Sequence, residues 1–141
     1  MVVQILVGTV LIATTIIVSM ILVALAIRFL AKHGAWLSRG NPLVKSSFAL
    51  TGVTIWLIFV LTLTMWIWAL AFYGLGLFDN LETALYFSMV AFTTLGFGDV
   101  TLPESWRLLS GFVAANGLIL FGLSTAFLIE LLSRLRQSQT K

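Results

Sequence analysis

Three uncharged runs decide what this chain can become: Met1 to Ile27, Ser46 to Phe78 and Leu108 to Ile129 contain no Asp, Glu, Lys or Arg. Each exceeds the ~20 residues that a helix needs to cross ~30 Å of hydrocarbon at about 1.5 Å per residue. A water-soluble core is the wrong frame for such a sequence. Of its 141 residues 60% are apolar and 9% charged, against about a quarter charged in soluble domains. The expected fold class is an all-α membrane protein with three transmembrane helices.

The charges sit between and after these runs. Arg28, Lys32, Arg39 and Lys45 share one connection, and Arg134, Arg136 and Lys141 close the chain. Asp79, Glu82, Asp99 and Glu104 lie between the second and third runs with a single Arg107. The positive-inside bias puts the first connection and the C-terminus in the cytoplasm, and the N-terminus and the acidic segment outside a cell membrane. The first run has no basic stretch before it and its positive flank follows it, so it is expected to stay as a span rather than be cleaved. The bases lie in loops, not on one folded face, so no nucleic-acid partner is expected; the bilayer is. There is no cysteine, hence no disulfide or thiolate metal site. The single His33 falls in a basic loop and reads as solvated rather than as a ligand. At membrane depth there are no paired carboxylates, no histidine and no cysteine, so neither an enzyme nor a cofactor is expected.

The organisation follows: residues 1–30 as a first helix (from about Val3 to Leu30), 31–47 as a cytoplasmic connection, 48–133 as one unit, and 134–141 as a short tail. Asn41 suits an N-cap and Pro42 the first helical position of the second helix. That helix, running to about Tyr73, would be about 48 Å long and must tilt or project. Trp66, Trp68, Tyr73 and Trp106 are expected in an interfacial aromatic belt. A fourth apolar stretch, Leu81 to Thr93, is too short to cross, and a fourth crossing would put the basic tail outside. It is expected to enter the membrane and return on the same face, which irregular backbone tolerates only where it is buried or lines a wet cavity. Asp79 with Glu82 is expected to open this short helix, and Thr101 with Glu104 the third long one.

Directly after the short helix comes Thr93-Thr94-Leu95-Gly96-Phe97-Gly98-Asp99. To strip water from a cation without losing its solvation energy, a pore must offer closely spaced oxygens along one axis, and backbone carbonyls do so. Pointing successive carbonyls the same way requires conformations of alternating hand. Glycine takes the left-handed one without a steric cost of ~1–2 kcal/mol, which accounts for Gly96 and Gly98 at alternate positions. Thr94 offers a hydroxyl as the innermost oxygen layer. The C-terminal end of the short helix carries about half a negative charge, suited to a cation.

This heptad closely resembles the signature sequence of potassium channels, whose commonest form reads T-x-G-Y-G-D. The resemblance extends over the context from Phe48 to Leu132: outer helix, pore helix, filter and inner helix. It implies a potassium-selective channel, a homotetramer around a central axis, with permeant potassium ions held at Thr94, Leu95, Gly96, Phe97 and Gly98. The carbonyls of the first four would line the path, with Gly98 and Asp99 at the outer mouth. Thr93, Asp99, Tyr86 and Phe87 are the expected filter support and outer-mouth residues. In the family the inner helix often bends at a glycine, and Gly117 and Gly122 are the candidates for a hinge, close packing being the other reading of each.

The chain departs from the pattern in several places. Phe97 stands where tyrosine is commonest, so the hydroxyl that braces the filter in such members is missing. The brace expected here is apolar packing of Phe97 on the pore helix, including Phe87 or Tyr86. Val90 occupies a position that in some members carries a glutamate paired with the acid after the filter, and that pair cannot form. No helix has the repeated arginines of a voltage sensor. Glu130 reads either as an ion pair with Arg134 or as a carboxylate ring at the inner mouth. Asn116, Ser124 and Thr125 either face a wet cavity or bond across helices. The rival functions are a nonselective cation pore and a non-conducting accessory subunit.

Overall fold

The computed structural model describes the backbone of residues 1–37 and 42–137 and the side chains of residues 1–30, 32 and 47–133. Within these it is all-helical: α1 (Val2–Leu37), α2 (Pro42–Gly74), α3 (Leu81–Phe92) and α4 (Leu108–Gln137), with a 3-10 turn at Glu104–Trp106. Val2–Leu30, Ser47–Gly74 and Leu108–Ser133 are long and apolar enough to cross a membrane, and α3 is too short. The helix α1 runs past the expected Leu30. The Asn41 cap, the His33 side chain and the Glu130–Arg134 pair fall outside the described residues.

The helix ends are chemically legible. At the end of α2 the Gly76 N–H bonds the Tyr73 carbonyl and the Leu77 N–H the Phe72 carbonyl, at 3.0 and 3.1 Å, with Gly76 at φ +66°. This is a Schellman closure around a left-handed glycine. Asn80, not the expected Asp79, caps α3, its Oδ1 accepting from the Thr83 N–H at 2.7 Å while Glu82 adds negative charge to the first turn. The expected start of α4 at Thr101 and Glu104 is also corrected. Pro103 heads the 3-10 turn without a side-chain cap, and the α-helix begins only at Leu108. The cap comes from elsewhere in the chain: Gln4 Oε1 on α1 accepts from the Leu108 N–H at 3.3 Å.

Both α1 and α3 pack on α2 and α4. The core joins Trp68, Ala69 and Phe72 of α2 with Ala84, Phe87 and Phe92 of α3 and Leu109, Val113 and Leu120 of α4. Phe87 has ring centroids 5.4 Å from Phe72 and 5.3 Å from Phe78, and such pairs contribute ~0.5–1.5 kcal/mol beyond area burial. Hydrocarbon surroundings give no hydrophobic gain for helix association, so fit and hydrogen bonds decide the arrangement. Trp68 is fully buried and packs in the core on the same side of α2 as Phe72 four residues on. Trp66 and Tyr73 are exposed.

Candidate functional site

The site begins where α3 stops. Thr93 is the C-cap at φ −80°, and its hydroxyl donates back to the Met89 carbonyl at 2.7 Å. The Thr94 N–H bonds the Ala91 carbonyl and the Leu95 N–H the Val90 carbonyl, both at 3.0 Å. The pattern is the same Schellman closure as at Gly76, with threonine in the left-handed place at φ +61°. A β-branched residue there costs ~1–2 kcal/mol relative to glycine, and strain of this kind persists where the surroundings over-determine it.

From Thr94 the hand of the backbone alternates. Thr94, Gly96 and Gly98 have φ of +61°, +58° and +79°, while Leu95 and Phe97 between them have negative φ. Successive carbonyls of such a segment turn to one side of an extended path, the arrangement that a row of cation-solvating oxygens requires. A Cβ at Gly96 or Gly98 would meet nothing within 4 Å. Conformation, not space, therefore calls for glycine at both. Sequence reasoning names Thr94 for its hydroxyl and carbonyl but not for a left-handed backbone; extending the period of two backwards from Gly98 and Gly96 reaches it.

The segment is tied at both ends. At its start, the Phe92 carbonyl lies so close to Gly117 of α4 that an added Cβ would sit 1.9 Å from the oxygen. Phe92 also packs its ring on Phe121, centroids 5.6 Å apart. Gly117 thus has a packing reason to be glycine, whereas a Cβ on Gly122 would meet nothing within 4 Å. At the far end, the Tyr86 hydroxyl donates to Asp99 Oδ2 at 2.6 Å. That bond, with N–H donors of Asp99 and Val100, holds the Asp99 carboxyl below the usual carboxylate range, against a smaller opposing effect of desolvation. The same carboxylate pushes the Tyr86 hydroxyl up.

Within a single chain, Tyr86 and Phe87 both make contacts away from Phe97. Phe87 is committed to Phe72 and Phe78 on the α2 side, and Tyr86 reaches past Phe97 to Asp99. Phe97 itself is 66% exposed. With Val90 unable to pair with the acid, a tyrosine one turn earlier on α3 supplies a donor; an aromatic hydroxyl thirteen residues before the acid was the signal available. Asn116 bonds across helices to Thr15, and Thr125 bonds back to the Phe121 carbonyl. Glu130 lies near the far end of α4, remote in sequence from this segment. Glu104 and Arg107 approach to 3.6 Å on an exposed turn, an arrangement that contributes little. Among the described residues no group of His, Asp and Glu is placed to hold a metal ion.

A scan against protein-family models matches residues 60–134, from the second half of α2 through α3 and the alternating segment to α4, to the family described as ion channel. Searches of curated proteins and of solved structures return no match. The matched region is more than half of the chain and holds the tied segment with both of its anchors. The chain is an all-helical membrane protein that belongs to the ion channel pore-domain family.

Proposed function

We propose that the chain is one subunit of a homotetrameric, potassium-selective channel of the cell membrane, in which four copies of Thr94–Gly98 form the filter. The observation that carries this reading is the alternation of backbone hand at Thr94, Gly96 and Gly98. Four such segments around an axis would offer rings of carbonyls from Thr94, Leu95, Gly96 and Phe97, with the Thr94 hydroxyl as the innermost ring. Leu95 and Phe97 support the assembly: they are 62% and 66% exposed in a single chain, and neighbouring subunits would cover them.

In this reading α3 is a re-entrant pore helix whose C-terminal end points partial negative charge at the cation path. Asp79, Glu82, Asp99 and Glu104 of each subunit attract cations at the outer face, and the N-terminus lies on that same side. Purified protein reconstituted in liposomes tests the proposal: potassium flux should exceed sodium flux many-fold. Equal fluxes would identify a nonselective pore, and absence of both a subunit that does not conduct alone.

A further inference from the structure

The helix α1 lies outside the matched ion-channel region, yet its buried side is unlike that of a helix merely packed among lipids. Its four fully or nearly buried positions are Gln4, Gly8, Thr15 and Ser19, one stripe along the helix, while its large apolar side chains are partly or fully exposed. Polar and small residues join helices in hydrocarbon by hydrogen bonds and close approach. Each of the four meets a residue of α2 or α4, or the loop before α4.

We propose that α1 is a strap that positions both flanks of the filter, with Gln4 and Thr15 as its positioning residues; the inference rests on the reading of Thr94–Gly98 as a filter. On the outgoing flank, the Gln4 carboxamide donates to the Ser105 carbonyl and accepts from the Leu108 N–H. It thereby closes the first turn of α4 and holds the end of the loop that leaves Asp99. Four residues on, Gly8 admits the Phe112 ring, to which an added Cβ would approach within 2.6 Å. On the incoming flank, Thr15 Oγ1 accepts from Asn116 Nδ2 at 2.7 Å. Asn116 is fully buried, and its Oδ1 has no partner among the described residues, so the Thr15 bond is the one that holds its amide. The next residue, Gly117, abuts the Phe92 carbonyl two residues before Thr94. A displacement of α4 at Asn116 therefore reaches the filter through backbone contact. Ser19 and Thr64 hydroxyls 3.4 Å apart, and Trp56 Nε1 donating to the Leu22 carbonyl at 3.1 Å, fix α1 on α2 and set its depth.

The test uses the full chain with Gln4→Leu, Thr15→Val and, as the conservative control, Thr15→Ser. Amide hydrogen exchange by mass spectrometry is read on purified protein, and reversal potentials in mixed potassium and sodium on reconstituted protein. Gln4→Leu should speed exchange around Leu108 about fivefold, the worth of one net hydrogen bond, with α2 unchanged. Thr15→Val should speed exchange over residues 92–96 and lower the preference for potassium, and Thr15→Ser should restore both. Unchanged exchange over 92–108 in both variants, or an equal rise in every helix with selectivity intact, would overturn the strap. The exchange readings need no current: if wild-type protein shows no potassium preference, the filter reading fails while the strap is still decided.

Discussion

Replacing Gly117 by alanine separates a packing glycine from a bending one. The new methyl would lie 1.9 Å from the Phe92 carbonyl oxygen and 2.9 Å from its carbon, where ordinary contact begins at 3.4 Å. The two backbones must part by the difference between 3.4 and 1.9 Å, about 1.5 Å, because no flexible side chain is there to yield. Overpacking of a tight contact costs about 1–3 kcal/mol, and a backbone obstacle places this case near the upper end. Alanine returns up to ~1 kcal/mol as the better helix former, leaving a net loss of about 2 kcal/mol. Since Thr93 and Thr94 follow Phe92 directly, the same shift moves the innermost positions of the proposed filter and, on that reading, should lower potassium selectivity. Gly122→Ala is the control: it meets nothing within 4 Å and should be neutral or stabilising by about 0.5–1 kcal/mol. Unfolding of the purified variants, followed by heat or denaturant, gives the stability comparison, and reversal potentials give the functional one. If Gly117→Ala proves as stable and as selective as Gly122→Ala, the contact does not constrain the filter and the argument is wrong.

Other expectations follow from the same geometry. Gly96→Ala should abolish potassium current despite the open space around it, because a side chain at φ +58° strains the backbone; a normal current would remove Gly96 from the filter. Tyr86→Phe should move the Asp99 titration upward, towards the ordinary carboxylate value of about 3.9, as followed by carboxyl NMR. The depressed pKa in the wild type means that the contribution of this bond is present above the ordinary carboxylate pKa and is lost only as pH falls through the lower folded value. An identical titration in the variant would deny Tyr86 its role. Cysteines placed at Ser38 and Ser138 should resist an impermeant thiol reagent applied outside intact cells, and labelling of both would reverse the orientation.

Much of the helical plan was legible because charge-free length is enough to specify a span, and the glycine pair because only φ > 0 calls for it at alternate positions. What escaped the sequence depended on the third dimension. Thr94 takes a left-handed conformation that its type disfavours, and only the closure of α3 onto Val90 and Ala91 explains it. Position along α2 gives the depth of Trp68 but not its rotation about the helix axis, which turns it inward beside Phe72. The beginning of α4 escapes the sequence because its cap is supplied by Gln4, 104 residues earlier, and no local pattern encodes an acceptor at that range. Tyr86 and Phe87 were both offered as brace residues, and adjacent positions on α3 point to different neighbours.

The order in which a ribosome delivers this chain gives the Gln4 contact a further meaning. The Thr15 hydroxyl donates within α1, to the Leu11 and Ile12 carbonyls at 2.9 Å, so α1 can enter the bilayer alone without an unsatisfied donor at that depth. Gln4 has no such local arrangement, and its two partners, the Ser105 carbonyl and the Leu108 N–H, are synthesised about a hundred residues later. The nascent protein thus carries α1 with the Gln4 side chain unfinished until α4 arrives. Maturation closes a loop of about a hundred residues, and a ribosome halted before Leu108 would hold a membrane-inserted intermediate whose glutamine side chain is still waiting for its partners.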